Sequence, residues 1–165
     1  MNSFLQEVTT QGDLLKQTIQ YYRTEGKPLI ESIANEFQAK EMNSIILSGM
    51  GSSLYSIDCV RSFLTSHDIP ALSFSAFELS RLQFKQITPQ TLVVAISQSG
   101  NSSEVIELVE KAKRVTTVVG IYNNEDSKLA HMADFCLPIR AGKEVSITSK
   151  TYEITMMILN ILAYR

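Results

Sequence analysis

Thr91-Leu92-Val93-Val94-Ala95-Ile96-Ser97-Gln98-Ser99-Gly100-Asn101-Ser102-Ser103-Glu104 carries the clearest signal of the fold. Leu92 to Ile96 are apolar at successive positions, as a central parallel strand covered on both faces must be. The polar run from Ser97 gives way to Val105, Leu108, Val109 and Ala112 at helical spacing. Strand, short hydroxyl-rich turn and helix, in that order, begin a βαβ unit.

The same arrangement recurs on either side. Ile45-Ile46-Leu47-Ser48 precedes Gly49-Met50-Gly51-Ser52-Ser53 and a helical face of Leu54, Ile57, Val60 and Leu64. Ala71 to Phe74, Thr116 to Ile121 and Phe135 to Leu137 are further strand candidates, with helical patterns between them. Upstream, Leu5, Val8, Leu15, Ile19 and Tyr22 fall at helical spacing. Gly26 and Pro28 mark a stop and a restart, and Ile30, Ile33 and Phe37 share one face of a second helix. Strands alternating with helices predict an α/β fold of three layers, αβα, with a parallel sheet. Residues 1–41 read as an N-terminal helical arm and residues 42–165 as the domain proper.

The 165 residues are about one domain's worth, with 44% hydrophobic and 19% charged residues. Fifteen Lys and Arg against 17 Asp and Glu leave a net charge of −2, too balanced for a surface that neutralises nucleic-acid phosphates or coats an anionic membrane. Neither nucleic acid nor membrane is an expected partner. Cys59 and Cys136 lie far apart in apolar sequence, so no disulfide framework or CxxC site is expected. With no basic and apolar leader after Met1, and no run of ~18 apolar residues, a reducing cytoplasm is the simplest location.

In an open parallel sheet, ligands bind beyond the carboxyl ends of the strands, so the loops there carry the chemistry. In the first, Gly51, Ser52 and Ser53 lie ahead of a helix, where free N–H groups suit an anion; the alternative is a tight turn whose serines cap the helix. The loop has neither the GxGxxG of a dinucleotide fold nor the GK[ST] ending of a P-loop. In the second, Asn101 and Glu104 fit a capping box, which leaves Ser97, Gln98, Ser99, Gly100 and Ser102 unexplained. Hydroxyls and an amide around one glycine at a helix N-terminus, with no Lys or Arg beside them, suit a phosphate ester held by neutral donors and the helix dipole. The alternative is a solvated polar turn. The third, Glu144-Val145-Ser146-Ile147-Thr148-Ser149-Lys150-Thr151-Tyr152, opens the last helix, and its hydroxyls could satisfy the first-turn N–H groups with no ligand. Glu144 is the one carboxylate close in sequence to act as acid or base, although an acid ahead of a helix is ordinarily a dipole partner.

Taken together, Leu47 to Ser53, Ala95 to Ser102, Ser127 to Asp134 and Glu144 to Tyr152 resemble, in order and spacing, a sugar isomerase (SIS) domain. They look most like the first lobe of the isomerase half of glucosamine-6-phosphate synthases and of fructosamine-6-phosphate deglycases. The resemblance implies a five-stranded parallel, flavodoxin-like sheet. It makes Ser97, Gln98, Ser99 and Ser102 the phosphate cradle, with Gly100 as the turn that lets the backbone approach, and Ser53 a sugar contact. The family's last motif places Thr148 or Ser149 beside the open-chain sugar, because this chain is one residue shorter between Glu144 and Lys150. Asn101 stands where the family often has Glu.

Such proteins move a proton between C1 and C2 of a sugar phosphate, which takes a carboxylate base and often a histidine. In the two-lobed relatives these groups lie in a second lobe, for which this sequence has no counterpart. His67 and His131 read as surface residues, and with no cysteine after Met1 glutamine hydrolysis by this chain is not expected. No His/Cys/Asp cluster suggests a metal, and no cofactor is implied. The last helix carries Tyr152, Ile154, Met156, Met157, Ile158, Leu159, Ile161 and Leu162 all round its axis, so it must be covered all round. Another lobe, another subunit or the opening helical arm could cover it. The expected function is phosphosugar binding with aldose–ketose isomerisation or deglycation of an amino- or glycated hexose 6-phosphate, its acid and base coming from a second lobe or a homo-oligomeric partner. The alternative is a non-catalytic sugar-phosphate sensor. DNA binding by the arm is disfavoured, since Lys16, Arg23, Lys27 and Lys40 lie beside acidic residues.

Overall fold

A computed structural model describes residues 3–145 and 147–165. Helices α1 (Ser3–Arg23) and α2 (Lys27–Ala39) lead into β1 (Ser44–Gly49). There follow α3 (Ser52–Tyr55), α4 (Asp58–Ser66), β2 (Ala71–Ser75), α5 (Ala76–Arg81), β3 (Thr91–Ser97), α6 (Ser103–Ala112), β4 (Val118–Tyr122), α7 (Lys128–Met132), β5 (Phe135–Pro138) and α8 (Thr151–Ala163). The strands are all parallel and lie in the order β2-β1-β3-β4-β5. This is the five-stranded three-layer fold that the alternation predicts.

Strand β3 sits at the centre, and each of its residues from Thr91 to Ser97 is buried. Because successive side chains alternate across a strand, Leu92, Val94 and Ile96 enter one core with Leu47, Val119 and Ile121. Val93 and Ala95 enter the other with Ile46 and Val118. The first core is closed by α1, α2, α4 and α8, and the second by α5, α6 and α7. Strand β4 begins at Val118 and not at Thr116. The Thr116 N–H donates to Ala112 O at 2.9 Å and its hydroxyl to Thr91 O, so the residue terminates the turn after α6.

The last helix is partly covered within the chain. No residue of α8 is exposed, and α1, α2 and α4 lie against it. Of the covers considered from sequence, the opening helices supply part, and residues such as Met156, Met157, Ile161 and Leu162 stay half-buried. Tyr22 fastens them down: its ring is 4% exposed and its hydroxyl donates to Pro138 O at 2.9 Å. Among the described residues no helix is long and apolar enough to cross a membrane.

The strand order reverses at β1, whose neighbours β2 and β3 follow it in sequence on opposite sides. The crevice that such a reversal opens lies at the carboxyl ends of β1 and β3. The loops Gly49 to Ser53 and Ser97 to Ser102 both leave from there.

Candidate functional site

Two of the three polar loops touch. Ser52 Oγ and Thr148 Oγ1 are 3.1 Å apart and share a hydrogen bond, which ties the β1 loop to the β5–α8 connection. Both residues are exposed. Ser149 is placed differently, since it is buried and its hydroxyl donates to Glu7 Oε2 at 2.8 Å. Of the two alternatives left by the spacing, Thr148 is thus the one beside the β1 loop. Gly51 takes φ +54°, and the hydroxyl of Ser53 bonds to no described residue. Ser146 lies outside the described residues.

The β3 loop is braced from within. The Gly100 N–H is shared between Ser97 O at 3.0 Å and Ser97 Oγ at 3.1 Å, so the Ser97 hydroxyl accepts and keeps its hydrogen to donate. Gly100 adopts φ +65°, and the Ser127 side chain fills the space where a β-carbon would stand. The close approach that this glycine permits is therefore that of Ser127, the N-cap of α7. Ser99 Oγ accepts from Asn101 N at 3.2 Å and also keeps its hydrogen.

The Asn101–Glu104 capping box does not form. Asn101 Oδ1 accepts from Lys128 N at 3.0 Å, which places it at the start of α7, and the N-cap of α6 is Ser102. Glu104 Oε2 instead accepts from the hydroxyls of Ser102 at 3.1 Å and Ser103 at 2.9 Å. Its own backbone N–H, then Ser103 and Ser102, hold its carboxyl below the usual carboxylate range. An anion at this helix start must therefore draw the Ser102 hydroxyl away from Glu104.

The loop nevertheless retains open donors. The backbone N–H groups of Ser99, Ser102 and Ser103 and the Gln98 amide bond to no described residue. With the positive end of the α6 dipole behind them, they are donors of the kind that suits an anion. The apolar cavity of about 250 Å³ beneath the end of α8 is a poorer host for a polar ligand, because Leu47, Val60, Leu64, Leu92 and Val94 line it.

Glu144 caps α8. Its Oε1 accepts from the backbone N–H groups of Ser149 and Lys150, both at 2.7 Å, and Thr151 at 3.2 Å, and its Oε2 accepts from the Thr151 hydroxyl at 2.7 Å. A carboxylate, and not the loop hydroxyls, takes the N–H groups of Lys150 and Thr151 where the helix begins. Burial alone would raise the Glu144 pKa, but the N–H groups of Lys150 and Ser149, then Thr151, outweigh it and hold the carboxyl below its usual range. A group whose folded pKa is depressed contributes stability above its unfolded pKa and loses it as pH falls through the folded value. Glu144→Ala is therefore expected to lower stability by about 1–2 kcal/mol at neutral pH and to leave a shallower loss on acidification. Urea denaturation at neutral and acidic pH measures both effects.

His67 is exposed, its ring tilted by 34° against Phe63 with centroids 4.2 Å apart, and His131 is exposed on α7; neither bonds to a residue of these loops. Among the described residues no three His, Cys, Asp or Glu side chains are grouped to hold a metal ion.

Two further residues reach the site from outside the loops singled out by sequence. Asn123, just beyond β4, binds both ends of a short segment of the β5–α8 connection, through Ala141 N and Gly142 O, each at 2.8 Å. Glu7 of α1 accepts from Val145 N at 2.8 Å as well as from Ser149. No spacing rule points to either, because their partners lie 18 and 19 residues away for Asn123, and 138 and 142 for Glu7.

Comparison with known proteins gives concordant results. The SIS domain family model matches residues 39–165. A glutamine–fructose-6-phosphate aminotransferase of Chlamydia caviae is 28% identical over 169 residues, covering 98% of this chain and 27% of that protein. Its counterpart from Pyrococcus horikoshii is 29% identical over 164 residues, covering 96% and 26%. The chain thus spans about a quarter of the length of these curated relatives. Among solved structures, the C-terminal domain of glucosamine-fructose-6-phosphate aminotransferase from Francisella tularensis superimposes with a TM-score of 0.82 at 22% identity, covering 98% of this chain and 47% of that one. Escherichia coli CFT073 c3406 gives 0.78 at 16% identity, covering 98% and 85%.

Proposed function

Since the chain belongs to the SIS domain family, we propose that it binds an amino- or glycated hexose 6-phosphate at the carboxyl ends of β1 and β3. The phosphate sits at the start of α6, on the N–H groups of Ser99, Ser102 and Ser103 and the hydroxyls of Ser97, Ser99 and Ser102. The sugar extends toward Gly51, Ser52, Ser53 and Thr148. The observation that carries this reading is the set of unpartnered donors in the β3 loop, which lie at a helix N-terminus.

The ligand serves aldose–ketose isomerisation or deglycation, in which a base takes the proton from one of C1 and C2 and the other is reprotonated. Three carboxylates beside the loops are engaged: Glu144 caps α8, Glu104 holds two serine hydroxyls and Glu7 holds Val145 and Ser149, whereas Glu153 Oε2 is buried without a partner. On this reading, as the resemblance implies, the base comes from a second lobe or a partner chain, and the residues of this chain bind and orient. On this account the chain alone binds glucosamine 6-phosphate at least ~100-fold more tightly than glucosamine, the gain of two or more charge-assisted hydrogen bonds, and turns over neither. Calorimetric titration with both sugars, joined to an isomerase assay, tests the reading. Equal affinities would remove the phosphate site, and turnover by a monomer would place the base within the chain.

A further inference from the structure

The connection that carries Thr148 is fastened from a helix outside the region matched by the family model. Glu7 of α1 is 8% exposed, and no Lys or Arg among the described residues pairs with it. A buried carboxylate without a counter-ion is costly unless its oxygens accept hydrogen bonds. Both oxygens of Glu7 do, and each bond goes to the β5–α8 connection: Oε1 takes the Val145 N–H and Oε2 the Ser149 hydroxyl, each at 2.8 Å. One turn further along α1, Gln11 Nε2 donates to the Ser149 carbonyl. Ser149 is thus held through side chain and backbone together, and its neighbour Thr148 is the residue that meets Ser52 at 3.1 Å.

We propose that Glu7 is a positioning residue of the phosphosugar site, with Gln11 as its second. It acts through Val145 and Ser149 to hold Thr148 against Ser52, on the side of the site that receives the sugar. The proposal rests on the phosphosugar reading above, and it divides the site in two: the β3 loop holds phosphate by itself, whereas the sugar contact depends on α1.

Glucosamine 6-phosphate and inorganic phosphate, titrated separately, distinguish these halves. Glu7→Ala is expected to weaken the sugar phosphate at least tenfold and leave inorganic phosphate unchanged. Glu7→Gln, which keeps one carbonyl acceptor, falls between. Hydrogen exchange at the Val145 and Ser149 amides is expected to quicken in Glu7→Ala. Equal affinities in Glu7→Ala and the unsubstituted chain, an equal loss for both ligands, or unaltered exchange at those amides would each overturn the role of Glu7 while leaving the phosphosugar reading in place. An unsubstituted chain that binds neither ligand would bring down that reading and this one with it.

Discussion

Replacing Gly100 with alanine is expected to cost about 2–5 kcal/mol of stability and to abolish phosphosugar binding. The left-handed backbone costs a non-glycine residue about 1–2 kcal/mol, and Gly100 sits at φ +65°. The new methyl would also collide with the buried Ser127 side chain, and overpacking of that kind adds about 1–3 kcal/mol. Both ends of the damage matter. Gly100 N is bonded to Ser97 and Gly100 O accepts from Leu129 N at 3.0 Å, so any shift reaches the β3 loop and α7 together. A melting temperature lower by roughly 5–15 °C is the expected reading for a chain of this size. Gly12 is the matched control. It lies within α1 with open space around it, and Gly12→Ala is expected to raise stability by about 0.5–1 kcal/mol.

The double substitution Ser99→Ala, Ser102→Ala carries the largest expected effect on binding at a small cost to folding, since the bonds it removes, to Asn101 N and Glu104 Oε2, lie at exposed or half-buried positions. Hydrogen bonds to a charged group are worth ~1.5–3 kcal/mol each, and because the Ser102 bond is exchanged from Glu104 the double loss weakens a hexose 6-phosphate by about tenfold or more. The Ser102 hydroxyl caps no backbone N–H of α6 and bonds only to the Glu104 carboxylate, which keeps the Ser103 hydroxyl when Ser102 is replaced. Ser97 is the wrong serine for this purpose. It is buried and its Oγ accepts the Gly100 N–H, so Ser97→Ala would disturb the turn together with the ligand more than a change at the exposed Ser99 does.

The fold is legible in the sequence because β3 and β4 are buried on both faces, and a strand covered on both sides leaves an unbroken apolar run. The β1 and β3 loops are marked as well, since their small and hydroxyl-bearing residues follow strands directly. What stays hidden is contact between distant segments. Asn101 and Glu104 have capping-box spacing, yet the Lys128 N–H claims Asn101 and so undoes the local rule. Gly100 reads as room for a ligand, but its neighbour is Ser127. Thr148 and Ser149 are adjacent hydroxyls with equal claim by spacing, and only the partners Ser52 and Glu7 separate them. Glu7 looks like any acid on an amphipathic helix until α1 is laid beside the β5–α8 connection.

The near-neutral charge of the chain has a structural counterpart in this site. Its donors are amides and hydroxyls, and its nearest charge is a carboxylate, Glu104, that competes for Ser102. On the proposed reading, such a site holds a phosphate by geometry and not by net charge.

Amide-resolved NMR of the unsubstituted chain titrated with glucosamine 6-phosphate locates the ligand. The account predicts shifts at Ser99, Ser102 and Ser103, with smaller ones at Ser52, Ser53 and Thr148, and the loss of all of them in the Ser99→Ala, Ser102→Ala variant. Saturable shifts confined to other residues, such as those lining the cavity beneath α8, or shifts that persist unchanged in the variant, would contradict it.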